Sequence, residues 1–264
     1  MKIVGQTRLL EKLNNYTLTT LPKTLLFLGE DGCGKHTMIN YITEKIGLDL
    51  IELTDKITAE QLTEFTYKTT PTAYLINLTN FDEKKQNQFL KFIEEPGEYI
   101  FIMLIANSEM GILPTILNRC VKHKLEPYSK EELQVMSGNT FDNEWVYKIC
   151  KTPGQITALN LQTFTTMCQL CNTIIAKIKT ASYANTLTIA TKINYKEDYN
   201  KFDFDLFFNA LEFIAFETFK ETNNEDSFKV YQITNQFKQA RLNKAIVKET
   251  FALNFLTQLW EAFH

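Results

Sequence analysis

Two spacings of apolar residues alternate along the first 125 positions. Short strand-like runs stand at 24-TLLFL-28, 49-DLIEL-53, 73-AYLINL-78, 99-YIFIMLIA-106 and 120-CVKHKL-125. Between them, apolar residues recur three or four apart, the spacing of one helix face. Residues 5–16 put Leu9, Leu10 and Leu13 on one side, and 35–47 put Met38, Ile39, Ile42 and Ile46 on one side before Gly47. The same spacing predicts helices over 58–68, over 82–95 with Phe89, Phe92 and Ile93 together and Pro96 as the stop, and a short one over 112–119. Apolar runs without alternation, such as TLLFL, suit strands covered on both faces, as in a parallel sheet. Strands alternating with helices predict an α/β fold with a doubly wound, parallel five-stranded sheet.

Beyond Pro127 the strand spacing fades. Residues 127–160 read as a small helical unit around KEELQVM and NEWVYKIC, closing in TPGQ. From 161 onward the chain reads as long helices, including 206–219, 227–240 and 245–263, with NNED (223–226) as the turn between the first two. LFFNALEFIAFETF (206–219) is apolar nearly all round, which predicts deep burial. The expected segments are 1–126, 127–160 and 161–264, the last an all-α domain.

Composition narrows the function. The chain has 264 residues, 44% apolar and 22% charged, with net charge −3. That is ordinary globular composition and argues against strong autonomous binding to nucleic acid. No run of about 18 apolar residues occurs and the start lacks an apolar stretch of signal-peptide length, so the expectation is a soluble cytoplasmic protein. Five cysteines without regular spacing read as reduced thiols. Cys168 and Cys171, a lone CxxC in an apolar helical run, read as core rather than zinc ligands. Of the 28 basic residues all but Arg8, Arg119 and Arg241 are lysine. An arginine in such a chain marks a place where a forked donor is needed, because Arg binds phosphate oxygens through two parallel hydrogen bonds.

The candidate chemistry begins at 29-GEDGCGKHT-37, between a strand and a helix. That context suits a phosphate loop of the form G-x-x-x-x-G-K-[ST], in which backbone N–H groups and the helix N-terminus attract phosphate. Gly29, Gly32 and Gly34 permit the turn and Lys35 can reach the outer phosphates. The hydroxyl that normally holds Mg²⁺ is replaced by His36, a poor ligand for an ion that prefers oxygen. Thr37 lies one residue on, about 100° around the helix. Gly29, Gly32, Gly34, Lys35 and Thr37 are therefore read as a weak or vestigial phosphate loop, with no metal ligands. Hydrolysis also needs an acidic pair at the end of a second strand, one to hold Mg²⁺ and one to polarise water. In AYLINLTNFD that place holds Ile76 and Asn77. Asp82 and Glu83 follow as the cap and first turn of the next helix.

The segment 86-QNQFLKFIEEPGEYIFIMLIANSEMGILPTILNRC-120 resembles the clamp-loader branch of the AAA+ family, as does 3-IVGQTRLLEKL-13. With the glycine loop, the resemblance spans about residues 1–125 in order. The rest matches in outline, as a small helical lid and an all-α collar for oligomerisation. The resemblance implies that Ile76 and Asn77 occupy the Walker B acidic pair, and that Arg119 of 118-NRC-120 is the arginine finger that enters a neighbouring subunit's ATP site in trans. Gln155 stands where a lid arginine is often found, and Asn107 or Ala106 where the sensor 1 polar residue falls.

Features serving the chain's own ATP are thus altered, and the one serving a neighbour's is kept. That profile resembles the delta prime branch, a non-hydrolysing stator of the DNA polymerase III clamp loader. The four-cysteine zinc module of many such proteins has no counterpart in residues 48–72. What this implies is a hetero-oligomer with a clamp-loader ATPase (gamma/tau-like) and a delta-like subunit, reaching the sliding clamp and primed DNA through the assembly. No cofactor is required; weakly bound ATP or ADP without hydrolysis is compatible. Two other readings stand beside it: an active AAA+ ATPase with a non-standard Walker B, and an ATP-independent adaptor of the same fold. Lys84, Lys85, Lys91, Lys122 and Lys124 suit either DNA contact or a solvated face.

Overall fold

The computed structural model describes residues 3–54, 56–79, 81–138, 140–142, 144–186, 188, 204–241 and 248–264. Its sheet is built from β1 (Thr24–Leu28), β2 (Asp49–Leu53), β3 (Thr72–Asn77), β4 (Ile100–Ala106) and β5 (Val121–Lys124). The order is β2-β3-β4-β1-β5, and all neighbours are parallel. The intervening helices are α1 (Thr7–Asn14), α2 (Lys35–Ile46), α3 (Ala59–Phe65), α4 (Glu83–Glu94) and α5 (Pro114–Leu117).

The run TLLFL shows why its strand carries no polar alternation. Leu25 and Phe27 face one side, with Ala73, Leu75, Phe101, Met103 and Ile105, under α1 and the Met38, Ile39 and Ile42 face of α2. Leu26 and Leu28 face the other, with Tyr74, Ile76, Ile102 and Leu104, under Leu62 of α3, Phe89, Phe92 and Ile93 of α4, and Ile116 of α5. Each strand position thus meets a helix, and burial of two apolar layers drives the sheet's formation. The edge strands are more exposed and carry polar residues: Asp49 and Glu52 on β2, Lys122 and Lys124 on β5. Charged edges of this kind discourage pairing with another chain.

Helix ends follow local chemistry. Thr58 and Ser129 close capping boxes with Gln61 and Glu132, and Asp82 accepts from the Lys85 N–H at 2.8 Å. Gly47 ends α2 in the left-handed region at φ 80°.

Connectivity places the candidate site. β1 leads through α2 back to the far edge at β2, whereas β4 leads through α5 to β5 on the other side. The two crossovers leave β1 and β4 towards opposite faces, so their C-terminal ends open a crevice where doubly wound sheets bind ligands.

The remaining helices are α6 (Lys130–Met136), α7 (Glu144–Ile149), α8 (Pro153–Thr157), α9 (Leu161–Lys177), α10 (Phe204–Thr222), α11 (Glu225–Arg241) and α12 (Lys248–Glu261). The chain divides into two compact units, residues 1–140 with 152–154, and residues 141–151 with 155–264. In the second, α10 packs against α7, α9 and α11. Phe208 of α10 meets Phe255 of α12 edge-on at 4.9 Å, and Trp145 of α7 meets Phe213 at 5.7 Å. Leu206, Phe207, Phe208, Leu211 and Ile214 are buried within the unit, as the all-round apolar pattern predicts.

Pro153 of TPGQ opens α8, where its missing N–H costs nothing. One expected turn is corrected: NNED is not all turn, since only Asn223 and Asn224 separate α10 from α11 and Glu225 and Asp226 form the first turn of α11. Their carboxylates suit the positive end of that helix dipole. Residues 245–247 of the expected last helix lie outside the described residues.

Candidate functional site

The glycine loop leaves β1 at the switch point. Gly29 N–H donates to the Ala106 carbonyl of β4 at 3.2 Å, and Cys33 N–H closes the turn onto the Glu30 carbonyl at 3.2 Å. Gly32 and Gly34 sit at φ 76° and 99°, a region side chains rarely adopt. Gly32 has a second constraint. A Cβ there would come within 3.0 Å of the Gly154 Cα and the Thr152 Oγ1. Gly154 N–H donates to the Gly32 carbonyl at 2.9 Å, so residues 152–154 of the same unit lie directly on the loop. Tyr128 Oη donates to the Cys33 carbonyl at 2.8 Å and braces the other side.

Lys35 opens α2 and is only 6% exposed. Its Nζ donates to the carbonyls of Gly29 and of Glu30 (3.0 Å) and to Asn107 Oδ1 (3.0 Å). Asp31 Oδ1 lies 3.8 Å away. The ammonium is thus paired and hydrogen-bonded, as a buried charge must be. Asn107 follows β4 directly, so it rather than Ala106, which is buried in the core, is the polar side chain that reaches the lysine. His36 is exposed and turns its Nε2 towards Glu52 Oε1 of β2 at 3.9 Å. Thr37 is half-buried, with its side chain facing Gly34.

The end of β3 carries no carboxylate. Ile76 is fully buried beneath α4, and Asn77 is exposed with its Oδ1 accepting from the Thr79 N–H at 3.0 Å. Asp82 caps α4, and Glu83 stands in its first turn. The set can therefore offer positive potential and backbone donors to a phosphate, while it lacks a base to polarise water at that strand.

Arg119 follows α5. Its side chain is 41% exposed; Nη1 donates to the Thr115 carbonyl at 2.8 Å, and Nη2 lies 3.2 Å from Glu94 Oε1. Gln155 belongs to the second unit, where its Oε1 accepts from the Lys151 N–H at 2.8 Å. Lys84 and Lys91 are exposed on α4, Lys85 approaches the Phe81 ring, and Lys122 pairs with Glu109 at 2.6 Å. Cys168 and Cys171 are buried on α9, and burial pushes the Cys168 thiol up to about 11.

Two residues emerge from the structure alone. Gln86, buried on α4, donates from Nε2 to the carbonyls of Phe81 (3.0 Å) and Gly111 (2.6 Å) and accepts from the Leu113 N–H (2.8 Å). It ties the start of α4 to the loop that leads into α5 and Arg119. Its signal in the sequence is a polar residue on the same helical face as Phe89 and Ile93. His123, on the inner face of β5, is 4% exposed between Phe27 and Tyr16. Burial, with a smaller contribution from Lys12, lowers its pKa to about 4.

Comparison with known proteins agrees with this architecture. Residues 49–129, from β2 to just past β5, match the family "DNA polymerase III, delta subunit". Among solved structures, a DNA polymerase III gamma subunit-related protein of Thermotoga maritima superposes with TM-score 0.50 at 14% identity, over 98% of this chain and 100% of that one. The RuvB Holliday junction branch migration motor of the same organism gives 0.52 at 14% identity, over 77% and 87%. No curated protein matches the chain. At such identities the structural likeness speaks for the fold. The family match adds a likeness in sequence over residues 49–129 of the sheet unit.

Proposed function

We propose that this chain is a non-hydrolysing, delta prime-like stator subunit of a DNA polymerase clamp loader, and that Arg119 acts in trans on the ATP of a neighbouring subunit. The observation that carries the reading is a contrast between two sites. At the end of β3, where an ATPase needs two acids, Ile76 is sealed in the core and Asn77 is engaged in a turn. Arg119, which cannot serve that loop's chemistry as an acid or base, is presented at the surface on a braced segment.

In this role the loop holds a nucleotide phosphate weakly or not at all. Gly29, Gly32, Gly34, Lys35 and Thr37 supply the cradle, and nothing at the end of β3 activates water. A bound nucleotide would contribute magnesium and phosphate charge without turnover. Partners are a gamma/tau-like ATPase and a delta-like subunit, acting together in the cytoplasm on the sliding clamp and primed DNA. The all-α second unit serves as the collar that joins subunits.

The test is ATP hydrolysis by the purified chain with Mg²⁺, next to Lys35→Ala. We expect phosphate release at the blank rate for both. Release by the wild type that Lys35→Ala removes would overturn the reading in favour of an active ATPase.

A further inference from the structure

We propose that Glu94 is the positioning residue of Arg119, fixing the guanidinium so that its outward N–H groups meet the neighbour's phosphate in a set direction. The inference rests on the reading of Arg119 as a trans finger.

An arginine at the surface samples many rotamers, and a finger that must be ordered at each encounter gives up part of its advantage. Here both terminal nitrogens are already held. Nη1 donates to the Thr115 carbonyl and Nη2 pairs with Glu94, so two contacts from two elements define the plane of the guanidinium. Of its five N–H groups, those contacts use one on each terminal nitrogen.

Glu94 is well placed to be a reference point. It is the last residue of α4, whose start is fixed by the Asp82 cap and the Gln86 bridge. Phe89, Phe92 and Ile93 anchor the same helix in the core. Gln86 also holds the loop entering α5, so one helix orients the finger at both ends, through the segment that carries it and through its charge partner. The pair is open to water, with 41% and 37% of the side chains exposed, and an exposed pair of this kind adds little to folding stability. Its geometry is what remains to explain it.

The assembly with the chain's own ATPase partner provides the test, by steady-state ATP turnover across ATP concentration. The variants are Arg119→Ala, Glu94→Gln, Glu94→Asp and the double Glu94→Gln/Arg119→Ala. We expect Glu94→Gln to lower kcat about tenfold with KM for ATP unchanged, Glu94→Asp to retain part of it, and the melting temperature of the chain to stay the same. In the Arg119→Ala background Glu94→Gln should cost nothing more, because Glu94 acts only through that side chain. If Arg119→Ala lowers turnover while Glu94→Gln does not, or if the Glu94 loss persists in the double variant, the positioning role is wrong and the finger stands. A rise in kcat with Glu94→Gln would mean that Glu94 holds the arginine back, and would equally overturn it. No effect of Arg119→Ala would remove the finger itself, and the inference with it.

Discussion

At Lys35 the three ammonium protons are directed to the chain's own Gly29, Glu30 and Asn107. A phosphate arriving there must displace at least one of these partners, and the hydroxyl that would bring Mg²⁺ with it is replaced by His36 facing Glu52. Replacing His36 with Thr restores an oxygen ligand at that place. We expect His36→Thr to tighten Mg²⁺-dependent binding of ATP, read by calorimetry with and without Mg²⁺, and to leave hydrolysis absent because the end of β3 is unchanged. Hydrolysis by that single variant would contradict the importance given to Ile76 and Asn77.

His123 makes a different prediction at this scale. Its folded pKa of about 4 lies below the ordinary value of 6.5, so the unfolded chain binds the proton more readily. The stability it contributes is present above pH 6.5 and is lost as pH falls towards 4, on the order of 3 kcal/mol in all. Melting temperatures between pH 7 and 4 should therefore fall more steeply for the wild type than for His123→Phe. Parallel slopes would show that the imidazole is accessible to protons in the folded protein.

Among the elements, α4 does the most to link the core, the loop entering α5, and Arg119. Gln86→Leu would strand the Gly111 carbonyl and the Leu113 N–H, and we expect it to cost about 2–4 kcal/mol in denaturant unfolding. A loss under about 0.5 kcal/mol would mean that water replaces the side chain. Much of this region was legible in the sequence. Periodicity placed α4 within a residue at each end, Asp82 identified its cap, and Pro96 its stop. The continuous apolar runs of β1, β3 and β4 identified a covered parallel sheet. What periodicity does not carry is side-chain reach across distant elements. The Gln86 bridge spans 25 and 27 residues, the Lys35–Asn107 bond 72, and the Glu94–Arg119 pair joins a helix end to a loop. The turn at 223–226 is shorter than its residues suggest, because acidic residues favour both turns and first helical turns.

For the whole molecule, the sheet unit and the helical unit divide the work. The first keeps the shape of a nucleotide-binding domain and a surface arginine; the second buries a largely apolar helix, α10, inside its own core. A stator needs shape and a finger more than it needs a base. That claim is tested most directly by single-turnover ATP hydrolysis in the assembly of this chain with its ATPase partner, comparing wild type with Arg119→Ala and Arg119→Lys. The phase belonging to the adjacent site should slow by about a thousandfold with Ala, and Lys should not restore it, because an ammonium cannot make the forked contact. Identical progress curves for all three proteins would contradict the account and leave an adaptor that keeps the fold without the finger.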